Sequence, residues 1–158
     1  MKKISLTQNK FTVVDDEDYE YLNQWKWCSK DYISTFYAGR KQDSHTTILM
    51  HRVIMDCPSN KYVDHIDGDG LNNQKSNLRV CSNSENGRNR GKQSNNKSGY
   101  KGVSIHNRGN KFRAQIKAEG KLIHLGVFET AEDAAKVYDQ KALELHGEFS
   151  VLNFPIER

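Results

Sequence analysis

The sequence predicts an α+β protein, with a β-rich N-terminal domain linked to a small three-stranded antiparallel sheet packed on one helix. Three segments lead to this prediction. Residues 62–86 have the character of strand, turn, strand and helix, residues 111–117 alternate between apolar and polar side chains, and residues 130–147 carry alanines at helical spacing. Strict alternation indicates a half-buried strand, whereas recurrence every three to four residues indicates an amphipathic helix.

Length and composition limit the classes of protein to consider. The chain has 158 residues, enough for one ordinary domain or two small ones. No run approaches the ~18 apolar residues of a membrane helix, and no signal-peptide core follows Lys2 and Lys3. We therefore expect an intracellular, cytoplasmic protein with no membrane partner. The three cysteines, Cys28, Cys57 and Cys81, are odd in number and show no Cys-x-x-Cys pair, which argues against a disulfide framework or a zinc knuckle.

Residues 1–60 are expected to form a β-rich scaffold. The apolar runs at 4–7 and 10–14 read as strands, and the acids from Asp15 onward suit the N-terminus of a helix. The segments 25–27 and 32–38 alternate as a further pair of strands would. Their aromatic side chains could fill a small core.

The segment 62–86 is predicted to fold as a hairpin followed by a helix. A β-branched run ends at Asp64 and His65, a turn follows at residues 67–70, and extended character resumes at residues 78–80. Ser82 then begins a helix, because Ser82 and Glu85 have the spacing of a capping box.

The polar side chains of this segment suit hydrolytic chemistry at a metal. Asp64 and the Asn86 side-chain carbonyl are hard oxygen donors for one divalent cation, Mg²⁺ in the first place with Mn²⁺ as an alternative. His65 points to the opposite side of its strand from Asp64 and can accept a proton from water. Asn77 can take the other ring N–H on its amide oxygen and so fix the tautomer.

Plainer interpretations stand beside this one. The run from Asp64 to Gly70 could be an ordinary polar turn, since Asx residues form turns through their own hydrogen bonds. A calcium loop starting at Asp67 is disfavoured, because the fifth and twelfth positions hold Leu71 and Leu78 instead of oxygen donors. His51 is expected in a helix that packs near the site, not as a metal ligand.

The segment resembles the HNH, or ββα-metal, nucleases. The resemblance lies in Asp64-His65, the turn at 66–68, Asn77-Leu78-Arg79 and Ser84-Glu85-Asn86, and it covers roughly residues 50–90. It is closest to the phage and intron-homing type, which suggests a phage or bacterial source and a homing endonuclease. The resemblance implies hydrolysis of a DNA phosphodiester, with His65 as general base, Asn77 as its orienter, and Asp64 with Asn86 as the metal site.

The charge is distributed unevenly along the chain. The net charge of +4 conceals a block from Arg88 to Lys121 with ten basic residues and one acid. Such a block favours a polyanion as partner, although a solvated face is the commoner explanation of a charge run. Within it, residues 91–99 lack large apolar side chains and read as a basic flexible linker. The predicted domains are therefore residues 1–90 and 100–158.

The C-terminal domain is predicted to expose a basic sheet face. Strands are expected near residues 100–106, 111–117 and 121–128, with a helix capped by Thr130 and closed by Gly147. The alanines of the helix would cover one side of the sheet and leave the other side for the major groove of double-stranded DNA. The residues predicted to bind DNA are Arg108, Lys111, Arg113, Gln115, Lys117, Lys121, His106 and His124.

This second domain resembles the plant ethylene-response-factor (AP2-type) DNA-binding domain. The resemblance lies in Tyr100-Lys-Gly-Val, Leu125-Gly-Val-Phe, Thr130-Ala-Glu-Asp-Ala-Ala and Leu152-Asn-Phe-Pro, over nearly all of residues 98–155. The plant family often places Arg and Trp on the reading face, where this chain has Ser104, His106 and His124. The target sequence of the plant proteins is therefore not transferred.

Two classes of function follow from the sequence. The favoured one is a metal-dependent DNA endonuclease that makes a nick or a double-strand cut, with the C-terminal sheet bound in the major groove. The alternative is a non-catalytic, sequence-specific regulator in which the HNH unit serves as scaffold. The presence of Asp64, His65, Asn77 and Asn86 together favours the enzyme.

Overall fold

The structure, a computed structural model, describes residues 1–32, 35–89, 91–92, 95–106 and 110–155. Helices and small antiparallel sheets are both present, which confirms the predicted α+β class. The chain divides into two compact units, Met1–Asn86 and Gly87–Arg158. The segment predicted as a linker, 91–99, is thus grouped with the second unit. Among the described residues, no helix is long and apolar enough to cross a membrane.

The first unit is built from short strands and helices that share one core. Its elements in chain order are β1 (Lys2–Ser5), β2 (Phe11–Val14), α1 (Asp16–Leu22), β3 (Cys28–Tyr32), β4 (Thr35–Lys41), β5 (Thr47–Leu49), α2 (Met50–Ile54), β6 (Tyr62–His65) and β7 (Leu78–Cys81), with α3 (Asn83–Arg88) beginning at its end. Strand β1 pairs with β2, β4 pairs with both β3 and β5, and β6 pairs with β7, all antiparallel. The core contains Ile4, Leu6, Val14, Leu22, Trp27, Ala38 and Met50.

The segment around the tryptophans differs from the prediction. Residues 25–27 were predicted to be extended, but β3 begins only at Cys28. Trp27 is 1% exposed, and its indole N–H donates to the carbonyl oxygen of Leu22 at 2.8 Å. A buried indole N–H requires an acceptor. The carbonyl at the end of α1 supplies it, so this contact and not strand pairing decides the local conformation.

A loop between β6 and β7 is joined to β2 by backbone hydrogen bonds. Val13 N donates to Leu71 O at 2.9 Å, and Asn73 N donates to Val13 O at 2.8 Å. The loop passes close to β4 at Gly70, where an added Cβ would overlap the Phe36 carbonyl oxygen and the Tyr37 ring. Glycine is therefore required at this position, and the loop is fixed against the scaffold.

The second unit is a three-stranded sheet covered by one helix, as predicted. Its elements are β8 (Val103–His106), β9 (Lys111–Ala118), β10 (Lys121–Phe128) and α4 (Ala131–His146), followed by a 3-10 turn at Gly147–Phe149. The sheet order is β10-β9-β8, antiparallel throughout. The side chains buried between sheet and helix are Val103, Ala114, Ala134 and Ala135 in one cluster and Ile116, Tyr138 and Ala142 in another.

The sequence explains how closely α4 approaches the sheet. Ala134 and Ala135 are fully buried, and small side chains allow two backbones to lie close together. Thr130 caps the helix by accepting a hydrogen bond from Asp133 N at 3.1 Å. Gly102 has a φ of 75°, and a Cβ there would overlap the ring of Tyr138. The helix therefore rests directly on the sheet.

The residues that precede β8 are attached to it by side chains. Asn96 Nδ2 donates to the carbonyl oxygen of Tyr100 at 2.8 Å, and Ser98 Oγ donates to that of Val103 at 2.8 Å. The last part of the predicted linker is therefore hydrogen-bonded to the sheet, which its polar composition alone did not indicate.

Candidate active site on the β6–β7 hairpin

The hairpin and its helix have the predicted form. Strand β6 pairs with β7 so that Asp64 lies opposite Arg79 and His65 lies opposite Leu78. The capping box is formed: Ser82 N donates to Glu85 Oε2 at 2.7 Å, and Glu85 N donates to Ser82 Oγ at 3.3 Å. These reciprocal bonds satisfy the first free amides of α3 and fix its start directly after β7.

His65 is held by an asparagine that the sequence reasoning missed. The imidazole is 4% exposed, and its Nε2 lies 3.2 Å from Asn73 Oδ1. Asn73 is fully buried, and its Nδ2 donates to Thr12 Oγ1 at 2.7 Å. The Thr12 hydroxyl in turn donates to the Leu71 carbonyl oxygen at 2.7 Å. The imidazole is thus joined to a buried hydrogen-bond chain that runs through Asn73 and Thr12.

This series of hydrogen bonds determines the tautomer of His65. A carbonyl oxygen only accepts, so the Thr12 hydroxyl proton goes to Leu71, and Thr12 Oγ1 must accept from the Asn73 amide nitrogen. The amide oxygen of Asn73 is then the atom that faces His65, and Nε2 must carry the hydrogen. In the neutral ring the lone pair therefore lies on Nδ1.

Asn77 does not make the predicted contact with His65. Its Oδ1 accepts from Asp67 N at 3.0 Å, and its Nδ2 donates to Asp67 Oδ1 and to Asn72 O, both at 2.9 Å. Burial alone would raise the pKa of Asp67, but hydrogen bonds from Asn72 and Asn77 outweigh it and hold this pKa below its usual range. Asn77 therefore fixes the turn that follows β6. Its short side chain bonds to Asp67 and to the Asn72 carbonyl oxygen instead of reaching His65.

Asp64 forms an ion pair inside the protein. It is 5% exposed, and its Oδ2 accepts from Arg79 Nε at 2.9 Å and Nη2 at 2.7 Å. Pairing a buried carboxylate in this way offsets much of the cost of removing it from water. The hairpin register explains the contact, since residues directly opposite in an antiparallel pair share a face.

A second histidine and a tyrosine pack against His65. The rings of His51 and His65 lie edge to face, with centroids 5.0 Å apart, and Tyr37 lies 5.1 Å from His51 and 5.5 Å from His65. His51 is on α2, as predicted, and is 5% exposed. Burial, together with the neighbouring His65 and Arg52, lowers the pKa of His51 to about 3. Burial also lowers the pKa of His65, against the opposing effects of Asn73 and the nearby aspartates. Both rings are therefore neutral at pH 7.

The donors present on the hairpin and its helix suit a hard cation. Asp64 offers a carboxylate whose contacts with Arg79 both fall on Oδ2, and Asn86 offers an amide on α3, where its backbone N–H donates to Ser82 O at 3.0 Å. Among the described residues, no group of three or more His, Cys, Asp or Glu side chains could hold a metal. One carboxylate and one amide oxygen fit Mg²⁺ that keeps other positions for water and phosphate.

The outer face of the second unit contains most of the residues predicted to bind DNA. We define it as the side of the sheet away from α4. It carries Ser104, His106, Lys111, Arg113, Gln115, Lys117, Leu122, His124 and Val127. Lys111 is paired with Glu129 at 2.6 Å. Arg113 is half-buried, and its Nε has no hydrogen-bond partner within the described part of the chain.

The two remaining residues predicted to bind DNA are Lys121 and Arg108. Lys121 pairs with Ala118, on the side of the sheet that also holds Ile123 and Ile116. Alternation along β10 places Leu122 on the outer face and Lys121 on the other side, so DNA binding by Lys121 stays a prediction that this face does not support. Arg108 lies outside the residues that the structure describes.

Comparisons with known proteins agree with the hairpin site. The family described as HNH endonuclease matches residues 49–88. The chain is 32% identical over 144 residues to a protein of Acanthamoeba polyphaga mimivirus named Uncharacterized HNH endonuclease L560, which covers 90% of this chain and 74% of that protein. It is 37% identical over 93 residues to Protein 3.8 of Escherichia phage T7, covering 59% of this chain and 76% of that protein.

A further similarity covers a smaller part of the chain. The AP2-like ethylene-responsive transcription factor ANT of Arabidopsis thaliana is 39% identical over 61 residues, which is 37% of this chain and 11% of that protein. The viral relative, in contrast, is similar along almost the whole chain. From this extended similarity, the family match over the hairpin and the Asp64-His65 site, we conclude that the chain belongs to the HNH endonuclease family.

Proposed function

We propose that the protein is a metal-dependent endonuclease that hydrolyses phosphodiester bonds of double-stranded DNA. The observation that carries this proposal is the buried chain from Thr12 through Asn73 to His65, which fixes one ring tautomer. A base that must accept a proton from water gains from being held neutral and in one orientation.

In this mechanism His65 is the general base. Its Nε2 proton is held by the Asn73 amide oxygen, so Nδ1 is the atom that takes a proton from the attacking water. The lowered pKa of His65 keeps the ring unprotonated at neutral pH. Tyr37 and His51 restrict the ring plane through their edge and tilted contacts. Asn77 holds the turn after β6 by its bonds to Asp67 and Asn72.

Asp64 and Asn86 would hold the divalent cation, in agreement with their hard oxygen donors. Mg²⁺ or Mn²⁺ bound there would neutralise charge on the scissile phosphate and on the departing oxygen. Arg79 keeps the Asp64 carboxylate in place through its two contacts with Oδ2.

The second unit supplies DNA affinity through its outer face in the major groove. Arg113, Lys117 and His124 on this face have no acidic partner among the described residues, so their donors can serve phosphates and base edges. The similarity to AP2-like ethylene-responsive transcription factors supports this role. A cleft of ≈ 920 Å³ beside the face is lined in part by Lys92, Lys97 and Lys117 and could follow one DNA strand.

A non-catalytic DNA-binding regulator is the second candidate. It is favoured by the AP2-like similarity and by Asp64, whose buried pair with Arg79 would also be explained as a structural ion pair. In that case the protein would bind DNA without cutting it.

Incubation of the protein with supercoiled plasmid tests the two candidates. We expect nicked or linear product with Mg²⁺ or Mn²⁺ and none with excess chelator. The ratio of nicked to linear product gives the mode of cleavage. If the protein slows the migration of plasmid in a gel but yields no nicked or linear product at any metal concentration, the regulator is favoured.

The DNA-binding role of the outer face has its own test. Duplex affinity should fall as salt rises, with a log-log slope of about −0.9 for each phosphate contact. Arg113→Ala and Lys117→Ala should each weaken duplex binding and make this slope less steep. Lys136→Ala is the matched control, because Lys136 lies on α4 and pairs with Glu132. An affinity that does not change with salt would exclude the outer face as the binding surface.

A further inference from the structure

The outer face of the second unit combines exposed apolar side chains with cations. Leu122 is 64% exposed and lies opposite Lys117, and Val127 is 41% exposed and lies opposite Arg113. The neighbouring apolar residues of β10 behave differently, since Ile123 and Leu125 pack into the core of the unit. The two outward apolar side chains therefore contribute nothing to that core.

The position of these two side chains on β10 follows from the strand pairing. The outward positions of β10 are Leu122, His124 and Val127. The last two are three residues apart instead of two because the strand has a bulge between His124 and Gly126. The bulge brings Val127 to the outer face, where simple alternation from His124 would have brought Gly126. Apolar groups thus lie on either side of His124.

A polar side chain lies between the two apolar ones. Gln115 is half-buried and directly opposite His124. Within the described residues its side-chain amide has no hydrogen bond, so both its donor and its acceptor are available. Arg113, beside Val127, likewise has an unpaired Nε. The face therefore carries amide, guanidinium and two apolar groups within three cross-strand rows.

DNA offers a matching set of groups only in its major groove. The C5-methyl of thymine is the apolar group on that base edge, adenine pairs with Gln through N6 and N7, and guanine pairs with Arg through O6 and N7. A face that contacted only phosphates would gain nothing from an exposed leucine and valine. The pattern thus indicates base contacts as well as phosphate contacts.

We propose that the outer face reads a major-groove site containing A·T pairs, in which Leu122 and Val127 contact thymine methyl groups and Gln115 pairs with adenine. This inference rests on the proposed DNA-binding role of the second unit. It names the bases that the role leaves open, and it makes Leu122 and Val127 residues that determine specificity.

The first experiment identifies a preferred site. The full-length protein is used to select duplexes from a random pool in the presence of a chelator, so that bound DNA is not cut. We expect enrichment of a short motif that contains A·T pairs. If no duplex is retained at low salt, both the DNA-binding role and this inference are overturned. If duplexes are retained without a motif, or with a motif of G·C pairs only, this inference alone is overturned.

The second experiment removes single methyl groups from the selected site. Each thymine is replaced in turn by deoxyuridine, which lacks the C5-methyl but keeps the same hydrogen-bonding edge. At one or two positions we expect wild-type affinity to fall about three- to tenfold, as for loss of one buried methyl contact. The Leu122→Ala and Val127→Ala variants should each lose the sensitivity at one of these positions.

The control variant is Leu143→Ala, since Leu143 is 40% exposed on α4, away from the outer face. It should keep the wild-type response to deoxyuridine. Thermal unfolding of all three variants checks that they fold. The inference is overturned if deoxyuridine has no effect at any position, or if Leu122→Ala and Val127→Ala remain as sensitive as the wild type.

Discussion

At the scale of single residues, the site depends on which proton each buried group holds. Thr12 is fully buried and makes both of its side-chain hydrogen bonds, to Asn73 and to Leu71. Neither bond reaches His65 directly. Even so, these bonds decide that the oxygen of the Asn73 amide, and not its nitrogen, lies against the imidazole.

Thr12→Val should therefore impair catalysis from a distance. Valine has the same shape but no hydroxyl, so the Asn73 amide loses its acceptor and can rotate. We expect cleavage to fall on the order of tenfold and the free energy of unfolding to fall by about 1–3 kcal/mol. Duplex affinity in chelator should be unchanged.

Thr12→Ser is the matched control. It keeps the hydroxyl and removes one buried methyl, at a cost of about 0.8 kcal/mol. Its cleavage rate, measured on the same plasmid, should stay near that of the wild type. Equal cleavage rates for the valine and serine variants would show that the hydrogen bonds from Thr12 through Asn73 do not orient His65.

His51 offers a second test at this scale. Its Nδ1 is buried without a hydrogen-bond partner among the described residues, and its ring packs edge-on against His65. If packing is its role, His51→Phe should keep most of the activity, whereas His51→Ala should lose stability by about 2–4 kcal/mol through the cavity it leaves. A folded but inactive His51→Phe variant would show that the ring nitrogens of His51 take part.

The sequence predicted part of this residue-level arrangement. Asp64, His65 and Asn86 could be selected because their chemistry and spacing fit one motif. The contact of Asp64 with Arg79 could also have been found, since hairpin pairing places the two opposite each other. The role of Asn73 could not, because it depends on β2 meeting the loop, a contact between residues about sixty positions apart.

At the scale of elements, local signals were the most informative. The capping box at Ser82 and the alternation of β9 each lie within a few residues, and both are present in the structure. The prediction that fails at this scale involves a contact that such windows do not contain. Residues 25–27 are held by the hydrogen bond from the Trp27 indole N–H to the Leu22 carbonyl oxygen.

Asn153 illustrates a link between elements. Its side chain accepts from Lys101 N at 2.6 Å and donates to Lys101 O and to Asp139 Oδ1, at 3.1 and 2.9 Å. Asn153→Ala should lower the unfolding free energy of the second unit by about 2–3 kcal/mol, because it leaves several groups unpaired. Thermal unfolding measures the change, with the exposed Asn95→Ala as control. Equal melting temperatures for both variants would contradict this role.

Lys101 should make the stability of the second unit depend on pH. Burial lowers the pKa of Lys101 to about 8, although the nearby Asp139 opposes this effect. Between about pH 8 and the ordinary value of 10.5, the unfolded chain holds a proton that the folded chain has released. The contribution of Lys101 to stability should therefore rise with pH across this window.

Comparison with Lys101→Met isolates that contribution, since methionine does not titrate. Denaturant unfolding at pH 7, 8.5 and 10 should show the wild type gaining stability relative to the variant as pH rises. A stability difference that is constant over this range, or that moves in the opposite direction, would contradict the lowered pKa.

At the scale of the whole molecule, two compact units carry two different kinds of surface. The first holds a neutral imidazole, a carboxylate and amide oxygens on one hairpin. The second holds a sheet face on which Arg113 and Lys117 have no acidic partner among the described residues. The uneven charge of the sequence predicted the second feature. The α+β class and the family followed from motifs that lie close together in the chain, whereas the network that supports the site depends on distant residues.

The rate of plasmid cleavage by His65→Ala, measured beside its duplex affinity in chelator, is the most direct test of this account. If His65 takes the proton from water, the rate in Mg²⁺ should fall on the order of 10²- to 10⁴-fold, while affinity stays within about twofold of the wild type. Cleavage by the variant at the wild-type rate would contradict the central role of this histidine.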